Sequence, residues 1–146
     1  MPGDQQVLFQ GFSAKQKSAF LGLATPRRYP VQAMVAREDE MGSEMLIVEE
    51  GELSVWVRGV KINEAGEGAV LGVSALIEPH ARTASLVAET EVRVLHFARD
   101  RVLRYLEGVS PKLFQVFFVN AFQIHLNLVR QCEERIVQLS RELESP

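Results

Sequence analysis

One segment of the chain combines residue types that could hold an anion: LGVSALIEPHARTAS, residues 71–85. Gly72 leads into a short apolar turn, and Arg82 then stands alone in a run of small residues. A guanidinium stays charged at any physiological pH and offers a planar fork of donors that matches the oxygens of a phosphate or a carboxylate. The residues leave two readings open. Arg82 either binds such an anion, or it forms a surface ion pair with Glu78, four positions earlier.

Other chemistry is poorly supplied. His80, His96 and His125 are far apart in sequence, and His96 and His125 are read as core or interface residues. His125 and Cys132 would lie ~10 Å apart along a helix, too far to share one metal with bonds of ~2–2.3 Å. No Gly-rich strand-to-helix phosphate motif, HExxH pair or Gly-x-Ser-x-Gly elbow occurs. The expectation is therefore no metal site, no catalytic residue and no enzymatic activity.

Composition narrows the class further. The chain has 146 residues, 47% of them hydrophobic and 24% charged, which suits one soluble globular domain. Its net charge is -3, and only Arg27 and Arg28 are adjacent basic residues, so direct DNA binding is not expected. The single cysteine excludes an intrachain disulfide and fits a reducing cytoplasm, the expected location. Neither a signal segment nor a run of ~18 apolar residues is present, so no membrane association is expected. VLFQG, residues 7–11, partly resembles a protease-cleavage sequence, but Leu8 and Phe12 are read as packing residues at a helix start.

Three regions must position these groups. Residues 1–6 read as a polar tail, and Ser13 as the N-cap of a short helix over residues 14–21 that ends near Gly22. Residues 26–97 read as short strands separated by turns. Leu53, Val55 and Val57 alternate with Glu52, Ser54 and Trp56, while Gly42, Gly51, Gly59, Gly66 and Gly68 fall between strands. This predicts an antiparallel sandwich or barrel. Residues 99–106 then form a short helix that stops around Glu107 and Gly108.

Ser110 and Pro111 supply an N-cap and first residue for a second helix, which nothing breaks before about Leu143. At roughly 50 Å it is too long to pack wholly on so small a domain. Phe118, Phe122, His125, Val129, Cys132, Ile136, Leu139 and Leu143 recur at spacings of four and three, forming a coiled-coil seam. Leu113, Phe117, Leu126 and Leu128 are expected to face the helix's own barrel. The chain is thus divided into residues 1–109, the barrel with its short helices, and residues 110–146, a dimerisation helix.

This order of elements resembles the cyclic-nucleotide-binding domain, the sensor module of catabolite activator proteins and regulatory kinase subunits. The likeness spans almost the whole chain, from LFQGFSAKQK through RRYPVQAMVAREDEMGSEMLIVEEGELSVWV to SPKLF. It implies a mainly β fold with flanking helices: a jelly-roll, or double-stranded β-helix, of the kind also used by cupins. Residues 71–85 match the family's phosphate-binding cassette without a gap. Leu71, Gly72 and Val73 align with its Phe-Gly-Glu, and the segment from Ala81 to Ser85 with its Pro-Arg-Ala-Ala-Thr. The resemblance implies a short helix beginning after Gly72, with its backbone N–H groups, Arg82, and the hydroxyls of Ser74 and Thr83 around one phosphate. In some relatives the pocket holds haem, for which His80 would be the axial ligand; that reading is set aside.

Two departures matter. Val73 replaces the glutamate that accepts from the ribose hydroxyl, and a polar group left unpartnered there costs ~1–3 kcal/mol. An ungapped match from SPKLF puts Leu128 and Val129 where a Thr-Ser pair would reach the adenine. The expected ligand is thus a small anion, with cyclic AMP (cAMP) or cyclic GMP (cGMP) held weakly, and a homodimer that signals to an effector protein. The alternative is a ligand-free interaction module with a vestigial pocket. The chain ends at Pro146, a few residues beyond the seam, so it is not expected to carry a helix-turn-helix of its own.

Overall fold

The computed structural model describes residues 3–144. Two short helices, α1 (Asp4–Leu8) and α2 (Ala14–Leu21), precede ten strands, and two further helices, α4 (Arg99–Val109) and α5 (Pro111–Glu144), follow them. The strands are β1 (Thr25–Tyr29), β2 (Met34–Ala36), β3 (Met41–Gly42), β4 (Glu44–Glu50), β5 (Leu53–Val57), β6 (Val60–Ala65), β7 (Val70–Leu71), β8 (His80–Ala81), β9 (Ser85–Ala88) and β10 (Val92–Ala98), with helix α3 (Val73–Ile77) between β7 and β8. They form two four-stranded antiparallel sheets, β1-β10-β4-β7 and β2-β9-β5-β6, with β3 and β8 paired separately. This is the jelly-roll, mainly antiparallel β with short N-terminal helices and a long C-terminal one.

Local sequence explains much of this. Ser13 and Gln16 cap α2 reciprocally, the Ser13 hydroxyl accepting from Gln16 N at 3.0 Å and the Gln16 side chain from Ser13 N at 2.9 Å. Gly22 ends that helix as expected. The Ser110 hydroxyl accepts from Leu113 N at 3.1 Å at the start of α5. At Gly51 φ is 86°, and a Cβ there would run into the Glu91 carbonyl, so the β4–β5 turn needs glycine.

Several expectations require correction. The supposed polar tail contains α1 from Asp4 onward, held by Gln5 N donating to Gly68 O at 3.1 Å and Val70 N to Asp4 Oδ2 at 3.2 Å. Met1 and Pro2 lie outside the described residues. Ser54 does not face solvent; it is fully buried, donates to Val87 O at 3.3 Å and accepts from Trp56 Nε1 at 2.7 Å. Gly42 is not in a turn but inside β3. Along α5, Leu113 and Phe117 are buried as expected, whereas Leu126 is only half-buried and Leu128 is exposed.

Two hydrophobic clusters result. One fills the jelly-roll with Leu46, Val48, Leu53, Leu86, Val92 and Val94. The other joins the sheet to the helices, and Phe20 is its hub, with ring centroids 5.3 Å from each of Phe9, Phe97 and Phe117. Asn120 closes this second cluster. It is buried, and its Nδ2 donates to Leu8 O at 2.9 Å and Gln10 O at 2.8 Å, tying the N-terminal segment to α5. The core reaches Ile124 on α5 and stops there. Residues 125–144 project beyond it for roughly 30 Å at ~1.5 Å per residue.

Candidate functional site

The cassette is built from two stretches of backbone that approach Arg82. The main chain of Arg82 is fixed first: its N donates to Glu40 O and its carbonyl accepts from Asp39 N, both at 2.8 Å. This aims the side chain across β3. A Cβ at Gly42 would lie 2.8 Å from Arg82 Cζ and Nε. One at Gly72, where φ is 71°, would lie 3.1 Å from Nη1 and 3.0 Å from Glu44 O. Both glycines are therefore needed for the guanidinium to lie where it does. Arg82 Nη2 donates to Glu44 O at 3.3 Å, so the arginine turns to this carbonyl and not to Glu78.

Helix α3 starts directly after Gly72. Its far end is held by Arg99, whose Nε donates to Leu76 O at 3.0 Å. Ser74 and His80 meet across the segment, Oγ to Nε2, at 2.8 Å, and His80 Nδ1 lies 2.8 Å from Ala81 O. With both ring nitrogens engaged, His80 has none to offer as an axial ligand. Thr83 is exposed at the rim.

The remaining expected ligand residues are distributed differently. Val73 is only 5% exposed and packs in the cluster that joins the sheet to the helices, beside Leu76 and the buried face of α5. Leu128 and Val129 lie on α5 beyond Ile124, 39% and 38% exposed, and belong to neither cluster. The structure thus brings Arg82 against Gly72 and Ser74 against His80, while Val73 turns into the core. Sequence reasoning missed Gly42 and Glu44, because the need for close approach at one and for a backbone carbonyl at the other arises only from tertiary contact.

Glu44 also faces a buried histidine. His96 is 4% exposed; its Nε2 lies 2.9 Å from the Tyr29 hydroxyl, while Nδ1 has no hydrogen-bond partner and stands 3.6 Å from Glu44 Oε1. Desolvation lowers its pKa below the ordinary histidine value, against the pull of Glu44 and with help from Arg27 and Arg82. Two surface grooves lie away from the cassette, one near Gly22, Pro26, Glu49 and Arg93, the other along the distal part of α5. Among the described residues no group of three or more His, Cys, Asp or Glu could hold a metal, and no helix is long and apolar enough to cross a membrane.

The seam residues are uncovered on the single chain. Phe118 is half-buried, whereas His125 and Cys132 are exposed, Phe122 is 56% exposed, Ile136 62%, Leu139 42% and Leu143 88%. They lie about 100° around the helix axis from the face formed by Leu113, Phe117 and Ile124. After Leu128 that buried face continues as Gln131, Arg135 and Gln138, so the apolar character passes to the seam, with Val137 the one apolar residue off it.

Residues 26–108 match the sequence profile of the cyclic nucleotide-binding domain. Over 85 residues, 57% of this chain and 21% of the relative, the chain is 31% identical to a cAMP-dependent protein kinase regulatory subunit of Aspergillus niger. Over 117 residues, 80% of this chain and 32% of the relative, it is 29% identical to a cyclic nucleotide-gated potassium channel of Rhizobium etli. The matched parts are therefore a fifth to a third of these relatives. In fold, it is similar to a cyclic nucleotide-binding domain from Methylobacillus flagellatus, with a TM-score of 0.83 at 21% identity over 94% of this chain and 82% of that one. The Thermus thermophilus catabolite activator protein gives 0.77 at 19% identity, over 92% and 63%.

Proposed function

The chain belongs to the cyclic nucleotide-binding domain family, and from that premise we propose that it is a non-catalytic cytoplasmic sensor that binds a small anion at Gly72, Ser74, Arg82 and Thr83. The observation that carries this reading is the inward fold of Arg82 over Gly42 and Gly72. A guanidinium held there has one neutral acceptor, Glu44 O at 3.3 Å, and keeps further donors for phosphate oxygens.

The ligand is a cyclic nucleotide, cAMP or cGMP, held weakly. Neither Val73 nor the half-exposed Leu128 and Val129 accepts a hydrogen bond, and one unpartnered hydroxyl costs ~1–3 kcal/mol, roughly a ten- to hundredfold loss of affinity. Two chains pair through Phe118, Phe122, His125, Val129, Cys132, Ile136, Leu139 and Leu143, and this pair carries the signal to an effector protein. Transmission runs from the cassette to α5 through Val73 and Leu76, which share a cluster with Phe117, Ala121 and Ile124. A ligand shifts the helix pair by as much as it prefers one arrangement over the other.

Titration calorimetry with cAMP and cGMP tests the reading. Weak binding is expected for the native chain and none for Arg82→Ala; no heat at millimolar nucleotide with the native chain overturns it. A second reading, a ligand-free adaptor with a vestigial pocket, is favoured by the burial of Val73 in the core. It predicts that Arg82→Ala changes neither affinity nor activity, while seam substitutions abolish association.

A further inference from the structure

The Ser74–His80 contact fixes which way a proton points. Ala81 O can only accept, so the 2.8 Å contact with His80 Nδ1 requires the proton on Nδ1. In the neutral ring Nε2 is then bare and accepts from the Ser74 hydroxyl, 2.8 Å away. The hydroxyl in the cassette therefore spends its proton on the histidine and offers only lone pairs elsewhere. For an anion that is the wrong polarity. A protonated His80 reverses it: Nε2–H donates to Ser74 Oγ, and the hydroxyl becomes free to donate to an anion with a positive charge behind it.

We propose that His80 is a positioning residue of the anion site, acting through Ser74, and that anion binding there is coupled to the uptake of one proton. The proposal rests on the reading of the cassette as an anion site, and adds its regulation. Histidine is the side chain whose charge changes in the range of pH 5 to 8. Linkage is reciprocal: an anion favours the proton, and the proton favours the anion.

The charged groups around this ring come from several elements. Arg82 stands two residues on, and Glu78 follows the end of α3. Asp39 and Glu40 lie on the turn whose backbone holds Arg82. Arg99 caps α3 through the Leu76 carbonyl, and the Glu44 carboxylate is directed toward His96. None of these is hydrogen-bonded to the imidazole, whose partners are Ser74 and Ala81.

Calorimetric titration with cAMP and cGMP at about pH 8 and about pH 5.5, in buffers of different ionisation heat, reads affinity and proton uptake together. Both nucleotides keep one negative charge throughout, so a pH dependence belongs to the protein. Binding about tenfold tighter at the lower pH is expected, from one charge-assisted donor gained. Proton uptake should accompany it, and both effects should vanish in His80→Gln and shrink in Ser74→Ala. His96 remains in these variants and serves as the control for the other histidine near Arg82. Nitrogen-15 NMR of the ligand-free protein reads the tautomer independently, with Nδ1–H expected for His80 at high pH. An Nε2–H tautomer, equal affinity at the two pH values, or pH dependence that survives in His80→Gln overturns the proposal. Absence of heat at both pH values with the Nδ1–H tautomer present overturns the nucleotide reading, and the coupling falls with it.

Discussion

Two neighbouring substitutions, Ile136→Glu and Val137→Glu, separate a specific seam from general stickiness of α5. Ile136 is 62% exposed on the single chain and Val137 48%, so both are open apolar residues on the projecting helix. They differ in direction, by about 100° around the axis. Fully burying an isoleucine contributes ~1.5–3 kcal/mol, and the 62% still exposed corresponds to roughly 1–2 kcal/mol per chain. A symmetric pair places two copies in one layer, so about 2–4 kcal/mol is lost when both are replaced. That is a weakening of roughly 30- to 1,000-fold before any repulsion between the two facing carboxylates. Val137→Glu should alter the dimer constant by no more than about threefold. Glutamate is a better helix former than either residue it replaces, so helix loss does not confound the comparison. Light scattering and sedimentation velocity over a concentration series read the outcome. An unchanged mass for Ile136→Glu, or equal dissociation by Val137→Glu, refutes the seam.

Three further outcomes are expected. Gly42→Ala, whose new Cβ would lie 2.8 Å from the Arg82 guanidinium, should displace that flexible group and weaken nucleotide binding about tenfold or more, with a nearly unchanged thermal midpoint, read by calorimetry and circular dichroism. Asn120→Ala removes the donor to two carbonyls in a buried setting and should lower stability by ~2–3 kcal/mol in urea denaturation, with faster amide exchange in residues 4–12. His96 has a lowered pKa in the folded chain, so on acidification the unfolded chain takes up the proton first and stability falls as pH drops below about 6.5. Urea midpoints at about pH 7.5 and 5.5 should show that loss, and His96→Gln should diminish it.

What the sequence disclosed, and what it withheld, follows from how local each cause is. Ser13 with Gln16, Gly22, and Ser110 with Pro111 announce helix ends because cap and partner lie within a few residues. The glycine-punctuated strands and the unbroken helix gave an antiparallel sandwich or barrel and its stalk by periodicity, and the resemblance to the cyclic-nucleotide-binding domain made that barrel a jelly-roll. Helix α1 was hidden because its stability comes from Gly68 and Val70, more than sixty positions away. Ser54 broke the alternation because Trp56 and Val87 satisfy its hydroxyl inside the sheet. For Arg82 the segment itself was legible, but its partner is a main-chain carbonyl, which any residue type would supply. Leu128 looked like core because the apolar face of α5 continues to it, although the domain beneath has already ended at Ile124.

The Asn120 clamp joins stretches of chain more than a hundred positions apart, and the Phe20 hub joins the N-terminal segment to Phe117 on the same helix. A ribosome therefore releases residues of the N-terminal segment long before their partners on α5 exist. Until then Phe9, Phe12 and Phe20 have no Phe117 to meet, and the nascent barrel lacks one wall. Completion is deferred until α5 has been made, as expected for a topology dominated by distant pairings. The helix that finishes the barrel is also the one that extends past it, so maturation of the fold and presentation of the stalk arrive in a single event.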